Sequence, residues 1–371
     1  MPDRENLFKD FPPTSKKEWL AKIEKDLKGR SFTDLIWHLS ESTPIDPFYH
    51  PDDKIVVTGP LIPTNSTQNN WEIGEYILIG DSFSEANQHA LTALNGGAEA
   101  LLFQCGAQEL NDANIALLLH DIELNLISVH FEFSTKEGLE NSFSTLKKLA
   151  QWRGALHLTA AQIEMPLFSN KDQKVHTLIA DGRKYYQDTA HTADELAQML
   201  FDIFPVFSRV AEETSPSTAN ERVKLLLAID TSYFVAIAKI RALKILWANF
   251  IQAFGVHPSL LPEIEVHLTP YPTESDPNTN MIRSATQTLS AAIGGANRIF
   301  VTPADSQQGQ STDFTRRIAR NVQHLLKMES YIDRVIDPAA GSYYIEKLTG
   351  ALAEKAWKKF QQLAYGSSLG T

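Results

Sequence analysis

Four histidines alternate with apolar residues inside β-rich runs of this 371-residue sequence: His130, His157, His176 and His267. The imidazole ring titrates near neutral pH, so a histidine that projects from a strand into a barrel mouth can act as a general acid or base. A histidine in such a run can equally be a hydrogen-bonded part of the core, and the sequence leaves both interpretations open. Glu132 and Glu265 occupy similar runs, and the same two interpretations apply to them.

Several common catalytic and binding motifs are absent from the sequence. It contains no glycine-rich dinucleotide fingerprint, no Walker phosphate loop, no HExxH zinc helix and no EF-hand loop. The eleven histidines are scattered, and no two of them lie four residues apart on one helical face. Cys105 is the sole cysteine, which excludes an intrachain disulfide and a cysteine-based zinc site.

The composition is that of a globular protein, with 43% hydrophobic and 21% charged residues. A net charge of −11 argues against nonspecific nucleic-acid binding, which requires cationic side chains to neutralise phosphates. No run approaches the roughly 18 apolar residues of a membrane span, and the first residues lack the apolar segment of a signal peptide. We therefore expect a cytoplasmic protein with neither a nucleic-acid nor a membrane partner.

Short β-rich runs alternate with helical patterns from residue 71 onward. The predicted strands cover residues 71–79, 98–105, 126–133, 155–160, 175–180, 223–230, 263–269 and 298–303. The predicted helices cover residues 84–95, 111–119, 136–152, 192–210, 233–254, 280–292 and 312–327. Most strand runs are nearly continuous in apolar residues, which is typical of parallel strands buried on both faces. This order predicts an α/β protein with a (β/α)8 TIM barrel; a doubly wound open sheet is the alternative.

The segments that flank the predicted barrel form two further units. Residues 1–70 contain a predicted helix at 15–29, which Ser15 and Glu18 cap reciprocally, and an extended arm at 40–70. The helix has one apolar stripe, which needs either its own barrel or a partner to cover it: Trp19, Leu20, Ile23 and Leu27. The barrel unit, 71–362, ends in a predicted helix at 346–362, and 363–371 is expected to be a disordered tail or a truncated end.

Three stretches of the sequence carry a resemblance to a known family: RIARNVQHLLKMESYIDRVIDPAAGSYYIEKL at 317–348, FVAIAKIRALKILW at 234–247, and residues 71–103 with Asn87 and Gly96-Gly97-Ala98 in register. Together they resemble the substrate barrel of the methylmalonyl-CoA mutase family of coenzyme-B12-dependent isomerases. The similarity covers most of residues 15–362. It implies a barrel whose first repeat begins near residue 71, and an arm that embraces another subunit.

The positions that match the family's active-site motifs are degenerate in this sequence. Catalytic members carry T-I-R-Q-Y on the first strand. In this sequence Gly74 stands where the family has its substrate-binding arginine, and Tyr76 matches the tyrosine at the radical centre. Lys184 stands at the histidine of S-G-Y-H-M-Q-E, and Gly295 at the histidine of Q-G-H-T-Q-S-L. We expect all three losses at the carboxyl ends of strands, where barrel enzymes keep their active sites. We therefore predict no catalytic residue in this chain, with Tyr76 part of the core.

The family's cobalamin signature, Asp-x-His-x-x-Gly, is also absent, because no histidine here has an aspartate two positions before it. The resemblance then implies no cobalamin-binding domain in this chain and adenosylcobalamin in a large catalytic partner subunit. The predicted function is a non-catalytic small subunit of a heterodimeric methylmalonyl-CoA mutase. The alternatives are the catalytic barrel of a split acyl-CoA mutase, and an unrelated barrel lyase or aldolase that uses Lys184 as a Schiff-base amine.

Overall fold

Nine parallel strands form a nearly closed barrel in the computed structural model, which describes residues 12–40, 43–55, 68–159, 174–272, 276–309 and 311–368. A two-stranded antiparallel hairpin, β1 Trp37–Ser40 and β2 Thr43–Ile45, precedes the barrel. The barrel strands are β3 Glu72–Leu78, β4 Ala100–Gly106, β5 Ser128–Phe133, β6 Arg153–Leu158, β7 Lys174–His176, β8 Leu178–Asp181, β9 Val223–Ile229, β10 Glu263–Leu268 and β11 Arg298–Phe300. They pair in the order β7-β6-β5-β4-β3-β11-β10-β9-β8. The predicted α/β barrel is therefore confirmed.

The fifth strand position of the barrel differs from the prediction. A single strand was predicted at 175–180, whereas the structure has two short strands separated by Thr177. The first, β7, pairs with β6, and the second, β8, pairs with β9. Each short strand follows the register of its own neighbour. The break at Thr177 therefore lets residues 174–181 pair with β6 on one side and with β9 on the other.

Helices surround the barrel and connect its strands. They are α1 Lys16–Asp26, α2 Phe83–Asn95, α3 Asp112–Leu118, α4 Lys136–Leu146, α5 Thr192–Glu213, α6 Pro216–Glu221, α7 Tyr233–Gln252, α8 Pro277–Gly294, α9 Asp313–Met328 and α10 Tyr343–Ser368. Helix α10 continues six residues beyond the predicted end at 362, as far as Ser368. No helix among the described residues is long and apolar enough to cross a membrane.

The main core lies between the strands and the helices. One apolar cluster covers the first strands, from Ile77 to Leu158, and a second covers the strands and helices of the C-terminal half. Helix α7 lies deepest, and both α8 and α10 pack on it. The barrel axis contains only two small apolar clusters among the described residues, one around Phe300 and one around Leu226. The rest of the axis is polar and charged.

Helix α1 has the predicted capping box, in which the Ser15 hydroxyl and the Glu18 carboxylate satisfy each other's backbone N–H groups. None of its residues is buried, and the predicted apolar stripe stays half-exposed. The helix lies on the following segment rather than on the barrel: Lys16 pairs with Asp53, and the Trp19 ring contacts Phe48. Much of the predicted arm, 56–67, lies outside the described residues.

The turn that precedes α10 contains two residues with left-handed backbone conformations. Gly341 has φ +83°, and Asp337 also adopts a positive φ of 44°. The Arg241 guanidinium, buried on α7, pairs with Asp337 and with Glu346 at 3.1 and 2.9 Å. This buried pairing ties the turn to the centre of the fold.

Candidate functional site: the barrel axis and its mouth

Charged and polar side chains fill the barrel axis because alternate residues of each strand point inward. The sequence shows this alternation most clearly in β5 (SVHFEF) and β10 (EIEVHL). The inward-facing charged and imidazole side chains of the described strands include Glu72, His130, Glu132, His157, Asp181, Lys224, Glu263, Glu265, His267 and Arg298. Aliphatic side chains usually fill the interior of a TIM barrel, so the polar axis is the unusual feature of this fold.

Glu265 is the central carboxylate of the axis and is fully buried. Its Oε2 atom lies 3.4 Å from the Lys224 ammonium and 3.2 Å from the Arg298 guanidinium. Its Oε1 atom accepts a 2.9 Å hydrogen bond from His267 Nε2. Burial alone would raise the pKa of Glu265, but the Lys224 ammonium and the hydrogen bond from His267 hold its pKa well below the usual range. The carboxylate is therefore ionised.

Two fully buried histidines face this carboxylate without hydrogen-bonding to it. His130 Nδ1 lies 3.5 Å from Glu265 Oε2, and His157 Nε2 lies 3.7 Å from Oε1. Neither ring nitrogen of either histidine has a hydrogen-bond partner among the described residues. Burial lowers the pKa of His157 to about 4 and that of His130 well below its usual range. Both imidazoles are neutral near pH 7, and neutral imidazole is the form that ligates metal ions.

A cavity of about 440 Å³ opens at the carboxyl ends of the strands, above this buried group. Tyr76, Gln104, Glu132, Arg183 and His267 supply polar groups to its wall. The Tyr76 hydroxyl lies 2.8 Å from His267 Nδ1. Because the opposite nitrogen of this ring donates to the Glu265 carboxylate, the tautomer that satisfies both contacts has Nδ1 accepting from the phenol. The three side chains thus form a hydrogen-bonded chain from the axis to the cavity.

Arg183 is the strongest cation in the cavity wall, but its charge is already neutralised. Its guanidinium contacts Asp181 at 2.8 Å and Glu132 at 2.9 Å. Burial would raise the pKa of Glu132, yet the Arg183 charge outweighs burial and holds that pKa below its usual value. Burial and the Arg183 charge together lower the pKa of His267. The mouth is therefore polar, internally paired and close to neutral.

Gly74 lies inside the barrel, directly beside Phe300 of the neighbouring strand. A Cβ atom at this position would lie 2.7 Å from two carbons of the Phe300 ring and 2.8 Å from the Ile299 carbonyl oxygen. The same ring stacks on His267, with centroids 5.1 Å apart, and contacts Tyr76 at 5.2 Å. An aromatic side chain thus occupies the space into which a longer residue at position 74 would project.

The other degenerate positions are less uniform than the sequence suggested. Tyr76 is half-buried and lines the cavity. Lys184 is not among the described residues that line the cavity. The preceding residue, Arg183, does line it. Gly295 is the left-handed C-cap of α8, with φ +81°, and precedes β11. It therefore lies at the amino-terminal face of the barrel, and the expectation that it marks a strand's carboxyl end is wrong.

Of the six histidine and glutamate positions singled out in the sequence, the structure brings five together: His130, Glu132, His157, Glu265 and His267. His176 lies toward the amino-terminal face, where its Nε2 is 3.9 Å from Glu263. Sequence reasoning missed Asp181, Arg183, Lys224 and Arg298. Lys224 had a signal, since it is the one charged residue in the otherwise apolar strand VKLLLAI.

The fold and the site together define a (β/α)8-type barrel with a polar cavity at the carboxyl ends of its strands, the place where barrel enzymes bind their substrates. A sequence profile of the methylmalonyl-CoA mutase family matches residues 156–367. The chain belongs to the methylmalonyl-CoA mutase family.

Individual relatives agree with this assignment. The chain is 32% identical to the methylmalonyl-CoA mutase small subunit of Porphyromonas gingivalis, over 96% of this chain and 64% of that protein. It is 36% identical to the methylmalonyl-CoA mutase of Rhizobium meliloti, over 54% of this chain and 28% of that protein. This chain therefore spans less than two thirds of the length of either relative. Among solved structures, dihydropteroate synthase from Xanthomonas albilineans covers 71% of this chain and 99% of its own, at 12% identity and a TM-score of 0.39, too low to bear on function.

Proposed function

We propose that this chain is the non-catalytic small subunit of an adenosylcobalamin-dependent methylmalonyl-CoA mutase. In this proposal it stabilises a large catalytic subunit, which interconverts methylmalonyl-CoA and succinyl-CoA and holds the cobalamin. Relatives over 96% of this chain bear the name small subunit, which implies a larger partner. No histidine of this sequence lies in an Asp-x-His-x-x-Gly motif, so the cobalt ligand of the resemblance has no counterpart here.

The observation that carries the proposal is the packing of Phe300 against Gly74. The resemblance places a substrate-binding arginine at position 74, and here both the side chain and the room for it are missing. The Phe300 ring also stacks on His267, a residue of the cavity wall, so the axis is filled beside that wall. Arg183, the buried cation of the cavity wall, is paired with Asp181 and Glu132 and is therefore not free to bind an anionic substrate group.

One observation favours the alternative, the catalytic barrel of a split acyl-CoA mutase. The mouth cavity is large enough for a small acyl group, and the Tyr76 hydroxyl at its wall is hydrogen-bonded to His267. A phenol backed by an imidazole and a carboxylate can transfer a proton to a bound substrate. The lyase or aldolase alternative has less support, because Lys184 is not among the described residues of the cavity wall.

The proposal requires a large surface for the partner, and two elements near the amino terminus are candidates: the apolar stripe of α1 and the β1–β2 hairpin. The apolar stripe of α1 is half-exposed, and the hairpin that follows it is fastened to the barrel by the contact between Ser40 and Lys355 at 2.9 Å. Obligate interfaces usually bury more than about 2,000 Å² and are apolar. Half-exposed apolar side chains on a helix whose described ion pair and ring contact are made with its own arm fit such an interface.

The test is a mutase assay with methylmalonyl-CoA and adenosylcobalamin, first on this chain alone and then on its complex with a co-purified large subunit. We expect activity only in the complex, unchanged by Tyr76→Phe or Lys184→Met in this chain. A second pair of variants, Trp19→Ala and Leu20→Ala on α1, should weaken assembly while leaving the barrel folded. Activity that requires only a free cobalamin-binding protein, and that Tyr76→Phe abolishes, would overturn the proposal in favour of the catalytic barrel.

A further inference from the structure

His130, His157 and Glu265 form a compact group of potential metal ligands at the centre of the barrel. All three side chains are fully buried, and their ligand atoms lie within 4.8 Å of one another. They come from three different strands, β5, β6 and β10. We propose that this group binds one divalent transition-metal ion of the Zn²⁺ class, which cross-links the three strands through the barrel axis.

The distances between the ligand atoms suit a metal ion better than they suit hydrogen bonds. A four-coordinate zinc ion with bonds of about 2.0–2.1 Å sets its ligand atoms roughly 3.3–3.5 Å apart. His130 Nδ1 lies 3.5 Å from Glu265 Oε2 and His157 Nε2 lies 3.7 Å from Glu265 Oε1, and one ligand atom from each of the three side chains lies within 4.8 Å of the other two. Hydrogen bonds at those separations would be too long to satisfy the groups. A small inward movement of the side chains would complete the coordination.

The unpaired nitrogens are the second, independent observation. Buried polar atoms in folded proteins nearly always have a partner. Both nitrogens of His130 and both of His157 lack one among the described residues, although each ring is fully buried. Two imidazoles without hydrogen-bond partners, placed side by side against one ionised carboxylate, form a donor set of the kind that zinc, iron and manganese bind.

The charge of the axis leaves room for a cation. The described inward-facing carboxylates are Glu72, Glu132, Asp181, Glu263 and Glu265. They are opposed by three buried cations, Arg183, Lys224 and Arg298, and by Arg153, which is half-exposed at the rim. Carboxylates therefore outnumber cations. Lys224 and Arg298 approach Glu265 from its Oε2 side, whereas Oε1 faces His157 and accepts the hydrogen bond from His267 Nε2.

The experiment uses the purified full chain, stripped with a chelator and reloaded with Zn²⁺ alone. Mass spectrometry of the bound metal should find about one equivalent per chain. His130→Gln and His157→Gln should each weaken Zn²⁺ binding by more than the roughly 10–100-fold that loss of an outer-shell partner costs. The matched control is His176→Gln, a barrel histidine outside the group, which should bind Zn²⁺ as tightly as the unmodified chain.

A spectroscopic measurement on the unmodified chain guards against variants that fail to fold. With Co²⁺ in place of Zn²⁺, visible absorption bands of a four- or five-coordinate site should appear and should disappear on addition of Zn²⁺. The ¹⁵N resonances of two histidines should shift on Zn²⁺ loading. Binding well below one equivalent, equal binding in His130→Gln and the unmodified chain, or loading without imidazole shifts would each overturn the proposal.

Discussion

The barrel strands have two faces that are stabilised in different ways. Apolar side chains pack between the strands and the helices, whereas paired charges fill the axis of the barrel. In β9, Leu225 and Leu227 face the outer apolar layer, whereas Lys224 faces Glu265 across the axis. Burial of apolar area stabilises the outer layer without regard to direction. In the axis each charge is acceptable only because a specific partner lies opposite it. The outer layer should tolerate changes of chemistry that keep shape, and the axis should not.

The largest expected effect is loss of the central carboxylate. Glu265→Gln keeps the shape of the side chain but removes the fully buried one of the two carboxylates that Lys224 and Arg298 both contact, the other being Glu263. We expect the free energy of unfolding to fall by about 3–5 kcal/mol, measured by urea denaturation at pH 7 with a chelator present. Glu263→Gln is the control, because its side chain is 43% exposed and its pairs should contribute less than about 1 kcal/mol. Equal losses in the two variants would contradict the distinction.

A matched pair in the outer layer sharpens the comparison. Leu227→Ala should lower the free energy of unfolding by about 2–5 kcal/mol, since it removes a fully buried side chain and leaves a cavity. Leu227→Met conserves volume and should lower it by less than about 1.5 kcal/mol. A shape-conserving change is thus mild at position 227 and severe at position 265. If Leu227→Met were as harmful as Glu265→Gln, the two regions would not differ as described.

The contact between Gly74 and Phe300 predicts a smaller effect inside the barrel. Gly74→Ala places a methyl group against the Phe300 ring and should lower the free energy of unfolding by about 1–3 kcal/mol through overpacking. In the background of Phe300→Leu the same substitution should cost less, because the smaller side chain leaves space. Rescue will be incomplete, since the Ile299 carbonyl also lies close. A double-mutant cycle by denaturation measures the coupling, and additive effects would count against the packing.

The most gradual effect concerns pH. Burial lowers the pKa of His176 from 6.5 to about 4, so between these values the unfolded chain binds more protons than the native one. The free energy of unfolding should therefore fall as the pH is lowered from 6.5 to 4, by on the order of 1 kcal/mol per pH unit from this group. His176→Gln should remove this contribution to the pH dependence. A plot of the free energy of unfolding against pH should therefore be less steep for the variant than for the unmodified chain. Parallel slopes would show that His176 is not buried in the neutral form.

Much of the architecture could be predicted from the sequence, because buried parallel strands are long apolar runs and helices carry a 3.6-residue period. All eight strand positions were found in this way, and β5 and β10 showed their inward polar residues as a simple alternation. The split at Thr177 was missed because no local signal marks which neighbour a strand pairs with. Pairing register is a property of the closed barrel rather than of the segment.

The candidate site was only partly predictable. His130, His157, His267 and Glu265 stood out because ionisable residues are rare within strands. Arg183 and Arg298 did not, since each lies at the end of an element, where an arginine is usually solvated. Gly295 was placed at the wrong face because matching a motif to a sequence gives a position along the chain and not a side of the barrel. Its left-handed φ and its place after α8 settle the side.

The contact between Gly74 and Phe300 also has an evolutionary consequence. Gly74→Arg alone would drive a long side chain into an aromatic ring and a backbone carbonyl. Replacing Phe300 alone would open a void beside a glycine that cannot fill it. Each single step toward an arginine at this position therefore passes through a less stable protein, and selection for stability removes such intermediates. The pair therefore constrains substitution at both positions, because a change at either one alone lowers stability.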